Sequence, residues 1–310
     1  MPLRNHDHDR GGAAGDVVSR GVVFVAATLF GAALLGGAAC SLAGIGAGAL
    51  LHPSRRTATP PLPDGCSNVT LAGAGVSLEG WRCAAMTERR GTLIYLHGVA
   101  DNRGSGAGIV RRYRSRGFDV VAYDSRAHGQ STGASCTYGY YEKQDLAHVI
   151  DTLPDGPVVL IGTSLGAAVA LQAAAEDARI RVVVAAETFS DLRAVASERA
   201  PFFFTAGTIE RAFAIAGRDG RFPVDQVSPL RDAARIKVPA LLIHGGADRE
   251  TPPSHSQRVF EALPGRRRLI LVPGKGHNQS LSDGVWSEVD RWIDESLAAS
   301  DAGRAPDAGA

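Results

Sequence analysis

From Thr92 onward the chain alternates short apolar, β-branched runs with longer segments of helical periodicity. The runs Thr92 to Leu96, Asp119 to Tyr123, Val158 to Gly162, Ile180 to Ala185, Ala240 to His244 and Arg268 to Val272 predict strands. Stretches near Ala107 to Arg116, Glu142 to Leu153, Leu165 to Glu176, Pro253 to Leu263 and Ser282 to Ala298 predict helices. Strands separated by helices predict an α/β protein with a mostly parallel central sheet covered on both faces. Ahead of this alternation, two short runs around Gly73-Ala74-Gly75-Val76 predict an antiparallel hairpin over residues 68–85. Ser190 to Pro229 carries no strand signal and reads as a helical cap inserted over the sheet edge, at about 190–229.

The N-terminal pattern is different. Residues 1–20 are polar, and from Gly21 to Ser54 there is no Lys, Arg, Asp or Glu. About 20 apolar residues in a helix cross a bilayer, so Val22 to Leu42 is long enough to span. Residues 21–51 therefore read as a transmembrane anchor, with a cleaved signal peptide and a buried helix as the alternatives. The Gly-rich part from Ala43 to Leu51 is a poor helix former and is expected to fray. Residues 52–65 form a Pro- and Arg-containing linker, residues 66–300 the folded domain, and residues 301–310 a disordered tail.

If Ala74 and Gly75 form a two-residue loop, Cys66 and Cys83 stand opposite one another in a non-hydrogen-bonded pair, within disulfide range. The alternative is two unrelated buried thiols. A disulfide belongs to an oxidising compartment, which favours a membrane-anchored protein with its folded domain outside the cytoplasm, or a secreted one if the segment is cleaved. Arginines lie on both sides of the apolar run and do not orient it.

A formal charge of +1 over 310 residues, with the signs mixed along the chain, leaves no nucleic-acid footprint. No His-Glu-x-x-His, clustered Cys-x-x-Cys or phosphate-binding Gly-x-x-x-x-Gly-Lys occurs, so neither cofactor nor metal is expected.

Gly-x-Ser-x-Gly occurs twice. Gly129-Gln130-Ser131-Thr132-Gly133 lies in a polar stretch with no strand leading directly into it. Gly162-Thr163-Ser164-Leu165-Gly166 joins a predicted strand to a predicted helix, the context in which a serine hydroxyl projects from a strained turn above a sheet. Serine at neutral pH needs a base and a group to orient that base. His277 follows the last predicted strand and Asp248 the one before it, both at strand ends on the face that carries Ser164. Asp191, after an earlier strand, is the competing acid. His97 and His128 read as loop-structuring residues, His244 as core, and His148 and His255 as helix-surface residues. Cys136 reads as a buried, inert thiol.

From roughly Val69 to Ala298 these residues resemble the α/β-hydrolase superfamily. The resemblance is carried by Leu96-His97-Gly98, Asp124-Ser125-Arg126-Ala127-His128-Gly129-Gln130-Ser131, Gly162-Thr163-Ser164-Leu165-Gly166, Asp248 and Gly276-His277. The single N-terminal span, the short insertion and Tyr138-Gly139-Tyr140-Tyr141-Glu142 look like the membrane-tethered serine hydrolases that include lysophospholipid lipases and protein depalmitoylases. The resemblance implies Ser164 as nucleophile, His277 as general base and later acid, and Asp248 as the carboxylate that holds the imidazole. It also implies an oxyanion hole from the backbone N–H groups of Val99 and Leu165. The expected activity is hydrolysis of a carboxylic ester or thioester, of a small molecule or a lipid, through an acyl-enzyme. A peptidase using the same triad, or a binding protein on the same fold, are the alternatives. Pro201-Phe202-Phe203-Phe204 in the cap reads as a wall for an acyl chain, a membrane contact or cap core.

Overall fold

A computed structural model describes residues 42–302. The expected polar tail at 1–20 and the greater part of the expected span, through residue 41, lie outside the described residues, as do residues 303–310 of the expected C-terminal tail. Among the described residues no helix is long and apolar enough to cross a membrane.

Eight strands form one sheet: β1 (Cys66–Ala72), β2 (Ser77–Cys83), β3 (Gly91–Leu96), β4 (Phe118–Tyr123), β5 (Val158–Thr163), β6 (Ile180–Ala186), β7 (Ala240–Gly245) and β8 (Arg267–Val272). Their order across the sheet is β1-β2-β4-β3-β5-β6-β7-β8. β3 through β8 run parallel, while β1 and β2 form the antiparallel hairpin, and β2 is antiparallel to β4. The hairpin register runs from Cys66↔Cys83 to Ala72↔Ser77, and a disulfide joins its two ends.

The period of two along each strand sorts the core into two layers. Val121, Tyr123, Val158 and Leu160 face the layer with helices α3 (Glu142–Asp151), α4 (Leu165–Ala174) and α8 (Ser254–Ala262). Val120, Ala122, Val159 and Ile161 face the other, with α2 (Ala107–Arg114) and α9 (Asp283–Ala302). All ten residues of α4 are buried. Its run of alanines lets a helix enclosed on every side pack close to its neighbours. The predicted strands and helices fall on these elements, with ends displaced by a few residues.

The interval between β6 and β7 is helical: α5 (Leu192–Glu198), α6 (Ala206–Asp219), a short 3₁₀ turn at Val224–Gln226 and α7 (Pro229–Ala233). Thr205 and Ser228 cap α6 and α7 through their hydroxyls. One expectation fails here. Residues Leu42–Leu51 do not fray but form helix α1, with Ala43, Ala47 and Leu51 buried. Packing overrides propensity, because Gly46 sits where a Cβ would come within 3.0 Å of the Phe204 ring and 3.2 Å of Ala212 in α6. Gly46, which weakens the helix in isolation, admits it to the cap.

Candidate active site

Ser164 stands between β5 and α4 with φ 49° and ψ −111°, a backbone region that a side-chain-bearing residue rarely occupies. Its amide donates to the Ala186 carbonyl of β6 at 2.8 Å, which pins the turn. A Cβ on Gly162 would stand 2.3 Å from the Gly166 carbonyl oxygen, and one on Gly166 would stand 2.1 Å from that of Leu96. Both positions therefore admit only glycine, and the spacing of the motif is a steric requirement of the turn.

His277, on the loop after β8, places Nε2 2.9 Å from Ser164 Oγ and Nδ1 2.7 Å from Asp248 Oδ2. An ionised carboxylate only accepts, so the Nδ1–H points at Asp248 and Nε2 is free to accept the serine proton. Asp248, 4% exposed, also accepts from the amides of Glu250 and Thr251, both at 2.9 Å. Burial alone would raise the Asp248 carboxyl, but hydrogen bonds from His244, His277 and Thr251 outweigh it and hold the carboxyl well below its ordinary range. Residues 164, 248 and 277 thus meet in one relay.

Two contributors were not legible as such in the sequence. His244, read as core, is fully buried and brings Nε2 to 3.2 Å from Asp248 Oδ2, while its Nδ1 meets Ser256 Oγ at 2.6 Å. Glu187, just after β6, is 1% exposed with φ 58°. Its carboxylate accepts from the amides of Asn278, Gln279 at 3.1 Å and Ser280 at 2.9 Å, the three residues that follow His277. The loop bearing the imidazole is thereby held by its backbone. Its neighbours in the sequence, Ala186 and Thr188, carry no signal of this role.

The loop after β3 lies against the nucleophile: a Cβ on Gly98 would stand 3.5 Å from Ser164 Cβ. His97 is buried, accepts from the Ser125 amide at 2.9 Å and meets the Gly98 carbonyl at 2.7 Å, so it shapes this loop. Among the described residues the Val99 amide has no protein acceptor. The Leu165 amide, first in α4, has none within its helix. Leu165 follows Ser164 directly, and Val99 follows Gly98, whose position lies against Ser164.

Asp191 is not part of the relay; its side chain caps α5 by accepting from the Ala194 amide at 3.3 Å. Ser131 is buried, with Oγ donating to the Asp124 carbonyl at 2.6 Å and accepting from the Glu79 amide at 2.8 Å. His148 is exposed. The surface reading of His255 is corrected: it is fully buried, bonded to Ser190 Oγ and Glu198 at 2.9 Å each, because α8 packs its first turn under the cap. Cys136 is buried and its thiol is pushed well up by burial. Among the described residues no group of three or more His, Cys, Asp or Glu side chains is arranged to hold a metal.

Comparison with known proteins agrees with this architecture. A family model described as the alpha/beta hydrolase fold matches residues 91–236. YfhR of Escherichia coli, an uncharacterized protein, is 29% identical over 220 residues, which cover 67% of this chain and 72% of YfhR. The esterase Pf2001 of Pyrococcus furiosus superposes with a TM-score of 0.66 at 23% identity, over 79% of this chain and 99% of that one. Acetyl xylan esterase 1 of Thermoanaerobacterium superposes with a TM-score of 0.61 at 17% identity, over 82% of this chain and 92% of that one. The chain has the α/β-hydrolase fold.

Proposed function

Proceeding from that fold, we propose that the protein is a serine hydrolase that cleaves a carboxylic ester or thioester through an acyl-enzyme. The observation that carries the reading is the unbroken relay Ser164, His277, Asp248, with contacts of 2.9 and 2.7 Å. Ser164 Oγ attacks the acyl carbonyl carbon as His277 Nε2 takes its proton. The amides of Leu165 and Val99 receive the oxyanion, and the buried Asp248 carboxylate offsets the charge on the imidazolium. Collapse expels the alcohol or thiol, which takes the proton back from His277. Water, deprotonated by His277 in turn, then releases the acid.

A membrane-anchored protein with this domain outside the cytoplasm fits two observations, the charge-free stretch at 21–41 and the Cys66–Cys83 disulfide. The charge-free stretch and the helical cap between β6 and β7 support the lipid-directed class of serine hydrolase.

Hydrolysis of p-nitrophenyl esters from acetate to palmitate by the full chain, beside Ser164→Ala, tests the reading. Ester turnover that vanishes in the variant is expected. Turnover that survives Ser164→Ala, or dipeptide amides cleaved faster than matched esters, would contradict it.

A further inference from the structure

The apolar run of β7, Ala240-Leu241-Leu242-Ile243, leads into a fully buried histidine, His244, which stands at i and i+4 with the acid of the relay. Burying an imidazole is costly unless its nitrogens are bonded, and both nitrogens of His244 have partners. Nε2 lies 2.8 Å from the Thr251 carbonyl oxygen and 3.2 Å from Asp248 Oδ2, and Nδ1 lies 2.6 Å from Ser256 Oγ of α8. A carbonyl and a carboxylate only accept, so Nε2 carries a proton, and Nδ1 of the neutral ring accepts from the Ser256 hydroxyl. The ring cannot turn without breaking one of these contacts.

We propose that His244 is a positioning residue of the reaction proposed above, on which the inference rests: its Nε2–H fixes the Asp248 carboxylate and draws charge from the oxygen that His277 uses. The main chain of the site is held without it. A Cβ on Gly245 would stand 2.4 Å from the Lys275 carbonyl oxygen, and the Ala247 amide donates to that oxygen at 2.8 Å, so the loops that bear Asp248 and His277 are already joined. What remains to be set is the carboxylate. His244 meets Oδ2 directly, sharing that atom with His277 Nδ1. It acts on Oδ1 through Thr251, whose carbonyl it holds and whose amide donates to Oδ1 at 2.9 Å.

Two imidazoles on one oxygen divide its charge. The negative charge that stabilises the His277 imidazolium is partly neutralised by His244. Removing the Nε2–H therefore lets the carboxylate turn, which lowers the rate, and strengthens its hold on the imidazolium, which moves the acid limb of the pH profile to higher pH. A residue that only filled the core would do neither per folded molecule. The ionisable groups around the cluster are His277, Arg199 at Thr251, and His255 with Glu198 and Arg258. All are common to every variant below, so differences between variants read the Nε2–H.

The test follows hydrolysis of p-nitrophenyl acetate by the full chain from about pH 5 to about pH 9, with active sites counted by fluorophosphonate labelling run to completion. His244→Phe keeps an aromatic ring and removes the N–H, whereas His244→Gln returns an amide N–H close to the position of Nε2. In His244→Phe, kcat is expected to fall by about 10- to 100-fold with KM nearly constant, and the acid limb of kcat/KM to move up by about half a pH unit or more. His244→Gln is expected to recover most of both changes. Should His244→Phe not fold, Ser256→Ala removes the hydroxyl that polarises the ring, and it is expected to lower kcat by about threefold or more with the limb moving the same way. An unchanged kcat and limb in His244→Phe, or in Ser256→Ala in its place, overturns the positioning role and leaves the serine-hydrolase reading standing. A fall in kcat that His244→Gln does not recover, with the limb unmoved, overturns it as well. Absence of Ser164-dependent turnover in the unaltered chain overturns both.

Discussion

The chain carries Gly-x-Ser-x-Gly twice, at 162–166 and at 129–133, and the two serines have opposite fates. Ser131 Oγ is saturated by main-chain partners, the Asp124 carbonyl and the Glu79 amide, and ties the β4 loop to the hairpin. The Ser164 hydroxyl has one hydrogen-bond partner among the described residues, an imidazole nitrogen oriented by a carboxylate. Both are almost fully buried, at 1% and 5% exposure, so accessibility does not separate them. What separates them is where the hydrogen bonds end: in a carbonyl that cannot take a proton, or in a base that can.

The predictions bear on that contrast. The largest effect falls on the oriented base. Asp248→Asn removes the acceptor that selects the His277 tautomer, and steady-state ester kinetics are expected to show kcat lower by about 10³- to 10⁴-fold. A loss below tenfold would mean the carboxylate does not orient the base.

The Ser131 loop shows its own chemistry through pH. His128, in that loop, has Nδ1 at 2.8 Å from the Arg126 carbonyl, while Nε2 is buried without a partner. Burial first, and then the neighbouring His97, push its pKa down to about 4. The unfolded value is near 6.5. Between these values the unfolded chain binds a proton that the folded chain does not, so stability falls as pH drops from about 6.5 to about 4, by up to about 3 kcal/mol. Urea unfolding midpoints at pH 7 and pH 4.5 should therefore differ less in His128→Asn than in the unaltered chain. Equal differences would remove His128 as the cause.

Glu187→Gln acts on the Ser164 side without touching the reacting atoms. The carboxylate accepts from three consecutive amides, whereas an amide side chain turns an N–H group toward some of them. A loosened His277 loop should lower kcat by about 10- to 100-fold with KM nearly constant, because small misplacements of a base are costly in rate. Asp at 187 would restore little, being one methylene short. A KM effect alone would place Glu187 in substrate binding instead.

The smallest effect belongs to Ser131→Ala. It leaves the Glu79 amide and the Asp124 carbonyl short of a partner, which should reduce unfolding stability by about 1 to 2 kcal/mol. Turnover per folded molecule should stay the same. A fall in turnover at full folding would break the division between the two serines.

The relay was legible in the sequence because each member sits at the end of an apolar run, and strand ends of a parallel sheet converge on one edge. The hairpin register followed from a short loop and a period of two. The residues that escaped reading act over distance. Glu187 lies 91 residues from the amide of Asn278 that it holds, and its local context, Ala186-Glu187-Thr188, carries no sign of it. His255, two residues after Pro253 in a polar stretch, looks exposed, yet the cap folds over it. Helix α1 was read as frayed because its glycines were scored for propensity, whereas the close approach of Phe204 and Ala212 decides the matter.

The central claim is that Ser164, and not Ser131, is the nucleophile. Reaction of the folded full chain with a fluorophosphonate, followed by peptide mass analysis, tests it most directly. The account predicts an adduct on the peptide that contains Ser164, lost in Ser164→Ala and retained in Ser131→Ala. An adduct on Ser131, or no adduct on folded protein, would contradict it.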